Sequence, residues 1–205
     1  MATALHRLRL EAVTHTLLAS GARHVADLGC GCGELLQCLR EHDQCNRLIG
    51  IDIDAAALAH ARNRLMLDLL QPDERLQVSL GSFEETDWAT MDIDAAVLLE
   101  TIEHIDPGRL SRVERALFGR IMPALVFITT PNRECNSLHG LAPGARRHPG
   151  HRFEWTRAQF RAWCGGVAER HGYGVCYRDI GPSDRVYGSS TQMACFKRVA
   201  TRQPG

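Results

Sequence analysis

The stretch that most narrows the possible folds is Val25-Ala26-Asp27-Leu28-Gly29-Cys30-Gly31-Cys32-Gly33-Glu34, followed one helix later by Arg47-Leu48-Ile49-Gly50-Ile51-Asp52. An apolar run enters three glycines spaced G-x-G-x-G, a helix starts at Glu34, and a second apolar run ends in an acid. This is a β-α-β unit, and strands joined through a helix lie parallel. The alternation continues. Ala55 to Leu70 reads as a helix, Leu76 to Leu80 and Ala95 to Leu99 as strands, Pro107 to Phe118 as a helix, and Ala124 to Thr129 as a buried-type strand. Upstream, Leu10, Val13, Leu17 and Leu18 keep helical spacing within residues 1–20, with Gly21 as the stop. Downstream, Thr156-Arg157-Ala158-Gln159 has the form of a capping box, and Gly172 to Asp179 and Thr191 to Arg198 read as closing strands. The expectation is an α/β fold with a mostly parallel seven-stranded sheet covered by helices on both faces.

A chain of 205 residues, 44% apolar and 23% charged, suits a single domain over residues 1–200 with 201–205 as a frayed tail. No run approaches the ~18 apolar residues of a membrane span. The start of the chain lacks a secretory pattern, so the expected location is cytoplasmic and no membrane partner is expected. Zero formal net charge argues against a surface that coats nucleic acid indiscriminately. One segment departs from that balance: Arg133 to Arg161 holds six arginines against two acids, together with His139, His148 and His151. Local basic stretches fit phosphate contacts. The eight cysteines lack paired CxxC spacing and read as small buried apolar residues of a reducing compartment.

A dinucleotide loop prefers G-x-G-x-x-G with amides facing a pyrophosphate. Here Asp27 precedes Gly29, Gly31 and Gly33, and an acid at the strand end suits a ligand with a cationic amino group. Asp52 at the next strand end is placed to accept hydrogen bonds from the two hydroxyls of a ribose, with Asp54 as the neighbouring alternative. The loop and second acid together resemble the class I methyltransferase pattern, a Rossmann-like fold with S-adenosylmethionine as cofactor. In that pattern Ser82 and Phe83, after the third strand, flank the adenine.

Glu100-Thr101-Ile102-Glu103-His104 follows the strand Ala95 to Leu99. On a helix, residues three and four apart are neighbours, so two carboxylates and an imidazole converge on one face and offer most of a divalent-metal site. From Pro131 to Gly150 helical and strand patterns both fail, and a loop of about twenty residues in a domain is usually functional or disordered.

Three motifs in order, E-x-x-E-H at Glu100–His104, T-P-N-x-E-x-N at Thr130–Asn136 and H-R-F-E-W-T-R at His151–Arg157, resemble the Hen family of small-RNA 3′-terminal 2′-O-methyltransferases. The resemblance implies that Glu100, Glu103, His104 and His151 bind a divalent metal, Mn²⁺ or Mg²⁺, and carry catalysis. It places Thr130, Pro131, Asn132, Glu134, Asn136, Arg152 and Arg157 around the RNA 3′ end. His148 competes with His151 for the fourth ligand position but lacks its flanks; with His139 it reads as a phosphate contact or a loop residue. Phe153 and Trp155 offer either base stacking or loop packing. A metal chelated by both terminal hydroxyls would activate the 2′-oxygen and reject ends that carry phosphate. Bacterial relatives in RNA repair carry a large N-terminal domain, and plant relatives carry extra RNA-binding modules. Neither is expected in these residues, which implies a free-standing form or one with separate RNA-repair or RNA-processing partners. The alternatives are a small-molecule, catechol-like O-methyltransferase and a non-catalytic RNA-end-binding protein on the same fold.

Overall fold

Seven strands form one sheet: β1 (His24–Leu28), β2 (Arg47–Asp52), β3 (Leu76–Leu80), β4 (Ala95–Leu99), β5 (Leu125–Pro131), β6 (Tyr173–Asp184) and β7 (Gly188–Arg198). The computed structural model describes residues 3–68, 73–89 and 91–199. Strand order is β3-β2-β1-β4-β5-β7-β6, with β7 antiparallel to both neighbours and every other pairing parallel. Helices α1 (Ala4–Ser20), α2 (Glu34–Arg40) and α3 (Ala55–Arg64) cover one face. Helix α4 (Leu110–Glu114, continuing as a π-helix to Ile121) and α5 (Arg157–His171) cover the other.

The reason is visible in β4. Its residues are apolar throughout because successive side chains point to opposite faces and both faces are covered. Ala95 and Val97 join the core beneath α1 and α2, with Leu10, Val13, Leu17, Leu35 and Leu36. Ala96 and Leu98 join the core beneath α4 and α5, with Val113, Phe160 and Val167. Each large side chain fully buried this way contributes roughly 1.5–3 kcal/mol. Chain crossovers diverge between β1 and β4, and the crevice at the carboxyl ends of those strands is where open α/β sheets bind ligands.

Four local expectations are corrected. Helix α3 stops at Arg64 and not near Leu70; Leu65 turns into the core, its carbonyl is taken by Arg40 Nη1 at 3.0 Å, and Met66 adopts a left-handed φ of 55°. Residues 69–72 lie outside the described residues, as does the 201–205 tail. Glu100 is not helical: it has φ 52°, and only Ile102–His104 forms a single 3-10 turn. The Glu100 amide donates to Thr129 Oγ1 at 2.9 Å and Ile102 is fully buried, which pins this segment to the sheet end. Two 3-10 turns, Arg133–Cys135 and Ser137–His139, fold the segment expected as plain loop. Finally, β6 and β7 pair beyond their apolar spans, down to Asp184 opposite Gly188, on backbone bonds that leave no hydrophobic signature. The capping box at Thr156 and Gln159 forms as expected.

Candidate active site at the carboxyl edge of the sheet

A cavity of about 630 Å³ opens beyond β1, β2 and β4. Of the residues expected to hold a cofactor, Gly29, Gly31, Asp52, Ser82 and Phe83 line it. Gly29 has φ 84°, and a Cβ there would lie 2.4 Å from Thr101, so only glycine lets the loop and the β4 end approach. Asp52 Oδ2 accepts the Gly31 amide at 2.7 Å and Oδ1 the Asp54 amide at 2.9 Å, leaving each oxygen a free lone pair toward the cavity. Asp54 instead caps α3, accepting from the amides of Ala56 and Ala57.

Two expected cofactor residues do not line the cavity. Gly33 packs against Ala61 and Leu65 of α3. Asp27 sits at the end of β1, 2% exposed, with Oδ1 lacking any partner. Burial, reinforced by the Asp52 charge, pushes its carboxyl up from 3.8 to about 7.

A second cavity of about 490 Å³ is lined by Glu100, Glu103, His104, Pro131, His148 and His151, with Arg9 and Arg147 at its wall. Glu103 is fully buried; Oε2 accepts from Thr130 Oγ1 at 3.1 Å, while Oε1 has no hydrogen-bond donor and lies 4.0 Å from His151 Nε2. Glu100 Oε2 pairs with Arg9 at 2.7 Å, and its Oε1 is also without a partner. Burial raises both carboxyls, and the Glu100 charge raises Glu103 further. His151 Nδ1 donates to Glu154 Oε1 at 2.6 Å, which leaves the Nε2 lone pair facing Glu103. Burial lowers His104 and His151, which favours the neutral imidazoles that can act as ligands. The four residues expected to bind metal therefore share one cavity, although no helix face brings them there.

The residues expected around a substrate divide. Pro131 lines the second cavity, the fully buried Thr130 donates to the Glu103 carboxylate, and Arg152 lines the first cavity. Asn132, Glu134, Asn136 and Arg157 build the loop instead. Asn132 is fully buried and donates to the carbonyls of Tyr187 and Ser189, clamping the loop to the β6–β7 hairpin. Glu134 and Arg157 pair at 2.7 Å. Asn136 donates to Glu154 Oε2 at 2.6 Å and accepts from Arg147 Nε at 2.8 Å. Their polarity serves buried backbone and side-chain partners, which cannot be left unpaired. Phe153 and Trp155 stack on each other at 4.4 Å and pack against the α5 core, so they are loop anchors.

Three residues escaped the sequence reading. Arg9 reaches from α1 to Glu100 and to Thr191 Oγ1 at 2.8 Å; nothing local signals a contact across that span. Arg147 ties Asn136 to the Ser190 carbonyl and donates its amide to Glu154. Glu154 was legible in principle, as the acid three residues after His151.

Residues 26–123 match the methyltransferase domain family. The small RNA 2′-O-methyltransferase of Gallus gallus is 35% identical over 98% of this chain and 56% of its own length; this chain thus spans about half the length of that relative. The methyltransferase domain of the bacterial CtHen1 protein is 38% identical, with 96% of this chain and all of that one aligned at a TM-score of 0.86. The small RNA methyltransferase HEN1 aligns over 100% of this chain and 27% of its own, at 31% identity and a TM-score of 0.87. With a class I methyltransferase sheet and this likeness to a complete Hen1 methyltransferase domain, the chain belongs to the Hen1 family.

Proposed function

We propose that this chain transfers a methyl group from S-adenosylmethionine to the 2′-hydroxyl of the 3′-terminal ribose of RNA, in a site that holds a divalent cation. The observation that carries this reading is that Glu100 and His104 line both cavities. A methyl donor in the first and a nucleophile in the second therefore meet at the candidate metal ligands.

Glu100 Oε1 and Glu103 Oε1, buried and without hydrogen-bond donors, fit a cation, because buried carboxylate oxygens are costly without one. Glu100, Glu103, His104 and His151 would hold it, and two imidazoles favour Mn²⁺ over Mg²⁺. Such a cation supplies Lewis-acid polarisation of a hydroxyl at neutral pH. S-adenosylmethionine supplies the electrophilic methyl.

The chain's own residues do the positioning. Asp52 offers its two free lone pairs to the cofactor ribose. Glu154 fixes the His151 ring, and Thr130 fixes the Glu103 carboxylate. Proximity and orientation then lower the barrier to an in-line displacement. Relatives that carry the name small RNA 2′-O-methyltransferase support the substrate class. Eight free cysteines support a reducing, cytoplasmic location, and no helix among the described residues is long and apolar enough to cross a membrane.

The test uses methyl-labelled cofactor and one short RNA prepared with a free 3′ end, a 3′-phosphate or a 2′-deoxy terminus. Label is expected only on the free end, at the terminal 2′-oxygen. Comparable labelling of the 3′-phosphorylated RNA would overturn the chelation model.

A further inference from the structure

The cation pocket holds two imidazoles that the proposed function does not use, His139 and His148, and His148 sits against the rings of His104 and His151. His104, His148 and His151 each present a ligand atom, and these atoms all lie within 4.8 Å of one another. The ring centroids are 5.5 Å apart for His104–His148, 4.8 Å for His104–His151 and 5.5 Å for His148–His151. No carboxylate belongs to this set.

Gly150 makes the cluster possible. A Cβ at that position would lie 3.0 Å from His148 Nδ1 and 3.1 Å from His104 Nδ1, so a side chain there would displace these rings by a few tenths of an ångström. Arg146 reinforces the geometry by donating to the His151 carbonyl at 3.0 Å, which closes the segment from Arg146 to His151 into a tight loop.

We propose that His104, His148 and His151 form a second, all-imidazole binding mode for a late transition ion of the zinc class, mutually exclusive with the carboxylate-sided mode through the shared His104 and His151. Three imidazoles with an open fourth position match the ligand number and donor type that Zn²⁺ takes in sites that keep a water. Zn–N bonds of ~2.0–2.1 Å put tetrahedral ligand atoms about 3.4 Å apart, so rotations of the exposed His104 and His148 side chains by roughly an ångström close the set around an ion. His148 Nδ1 now accepts the Gly150 amide at 3.0 Å. Ligation through Nδ1 replaces that one exposed hydrogen bond and leaves the ring proton on Nε2. The hard carboxylates Glu100 and Glu103 serve Mn²⁺ or Mg²⁺, whereas nitrogen donors favour later ions. A late ion on the three imidazoles takes His104 and His151 away from the carboxylates, which makes it an antagonist of the proposed metal. Only that competition rests on the proposed function; the three-imidazole site stands without it.

The experiment is titration of the full chain with Zn²⁺ and, separately, Mn²⁺ by calorimetry and by competition with a chromogenic chelator. Co²⁺ absorption serves as a geometric readout. The variants are His148→Ala, Gly150→Ala and Glu103→Gln, each checked for folding by circular dichroism. His148→Ala is expected to weaken Zn²⁺ by at least the ~10–100-fold typical of losing an outer-shell partner, to leave Mn²⁺ affinity unchanged, and to abolish the intense tetrahedral Co²⁺ bands. Gly150→Ala is expected to weaken Zn²⁺ in the same direction, and Glu103→Gln to weaken Mn²⁺ while sparing Zn²⁺. Unchanged Zn²⁺ affinity in His148→Ala overturns the proposal. So does an equal loss of both ions, which would make His148 a ligand of a single common site. If wild-type protein binds Zn²⁺ through His148 but binds no Mn²⁺, the proposed function loses its cation while this site stands.

Discussion

The two cavities differ in how the chain assembles them. The cofactor side takes Gly29, Gly31 and Asp52 from the β1–β2 unit, Ser82 and Phe83 from beyond β3, and Glu100, Thr101 and His104 from beyond β4. In its β1–β2 part, backbone amides, glycines and one capping acid hold together residues that are near neighbours in sequence. The cation side draws Arg9 from α1, Glu100 and Glu103 from beyond β4, Thr130 from β5 and His151 from a distant loop. Local chain geometry makes the β1–β2 part of the first site, whereas the second exists only once four segments dock.

If that contrast is right, the halves fail separately. The largest effect is expected from Glu103→Ala, which removes a fully buried carboxylate facing His151. Methyl transfer should fall by roughly three orders of magnitude, the scale of several kcal/mol of lost charge stabilisation. Calorimetry with S-adenosylmethionine should show unchanged binding. A parallel loss of cofactor affinity would erase the distinction between the two sites.

Asp27→Asn probes the other half through pH. The folded-state value of about 7 lies above the starting 3.8, so the native state holds a proton that the unfolded chain releases. The Asp27 contribution to stability without ligand is therefore fully present below about pH 4, is lost as pH rises to about 7, and amounts to at most about 4 kcal/mol. Denaturant melts across that window should show the stability of the wild type relative to Asp27→Asn falling as pH rises. Manganese affinity should not change. A constant difference between wild type and Asp27→Asn across that window would remove Asp27 as an acid held protonated by the fold.

Glu154→Gln sharpens the cation side. Its carboxylate lies beneath burial that opposes ionisation, yet hydrogen bonds from Asn136 and His151 hold it below the usual range. The amide keeps the shape and loses the charge that fixes His151. Mn²⁺ affinity should drop about 10–100-fold, with the fold intact by circular dichroism; equal affinity would make the contact ornamental. The smallest effect belongs to Glu134→Gln. Its partly exposed pair with Arg157 is worth at most ~1 kcal/mol in chemical denaturation, and no change in either ligand's affinity is expected.

Legibility follows the same division. Strand β1, the glycine loop, α2 and β2 have the bounds that their residues suggest, because apolar period, glycine placement and capping are local properties. Helix α3 ends early because Leu65 finds the core, which no local pattern records. The E-x-x-E-H spacing brings its three side chains to one cavity for a reason other than helical periodicity: Glu100 adopts a left-handed backbone of φ 52°, a conformation that costs of order 1–3 kcal/mol and that surrounding structure must hold. Thr129 Oγ1 on the adjacent strand does so. Polar residues of the Thr130–Arg157 stretch look alike in sequence whether they face a ligand or clamp a loop. Asn132, Asn136, Glu134 and Arg157 turned inward because buried amides and carbonyls of the β6–β7 hairpin and of the loop itself required partners.

By itself the sequence determined the parallel sheet, the glycine turn, the acids at the strand ends and the Hen1 family likeness, since each rests on spacing within a few residues. Tertiary structure alone decided that Arg9 meets Glu100, that Glu103 keeps a buried oxygen without a hydrogen bond, and that Gly150 admits His148 beside His104. Those contacts join segments far apart in the chain, where packing and the satisfaction of buried polar groups, and not local pattern, choose the neighbours.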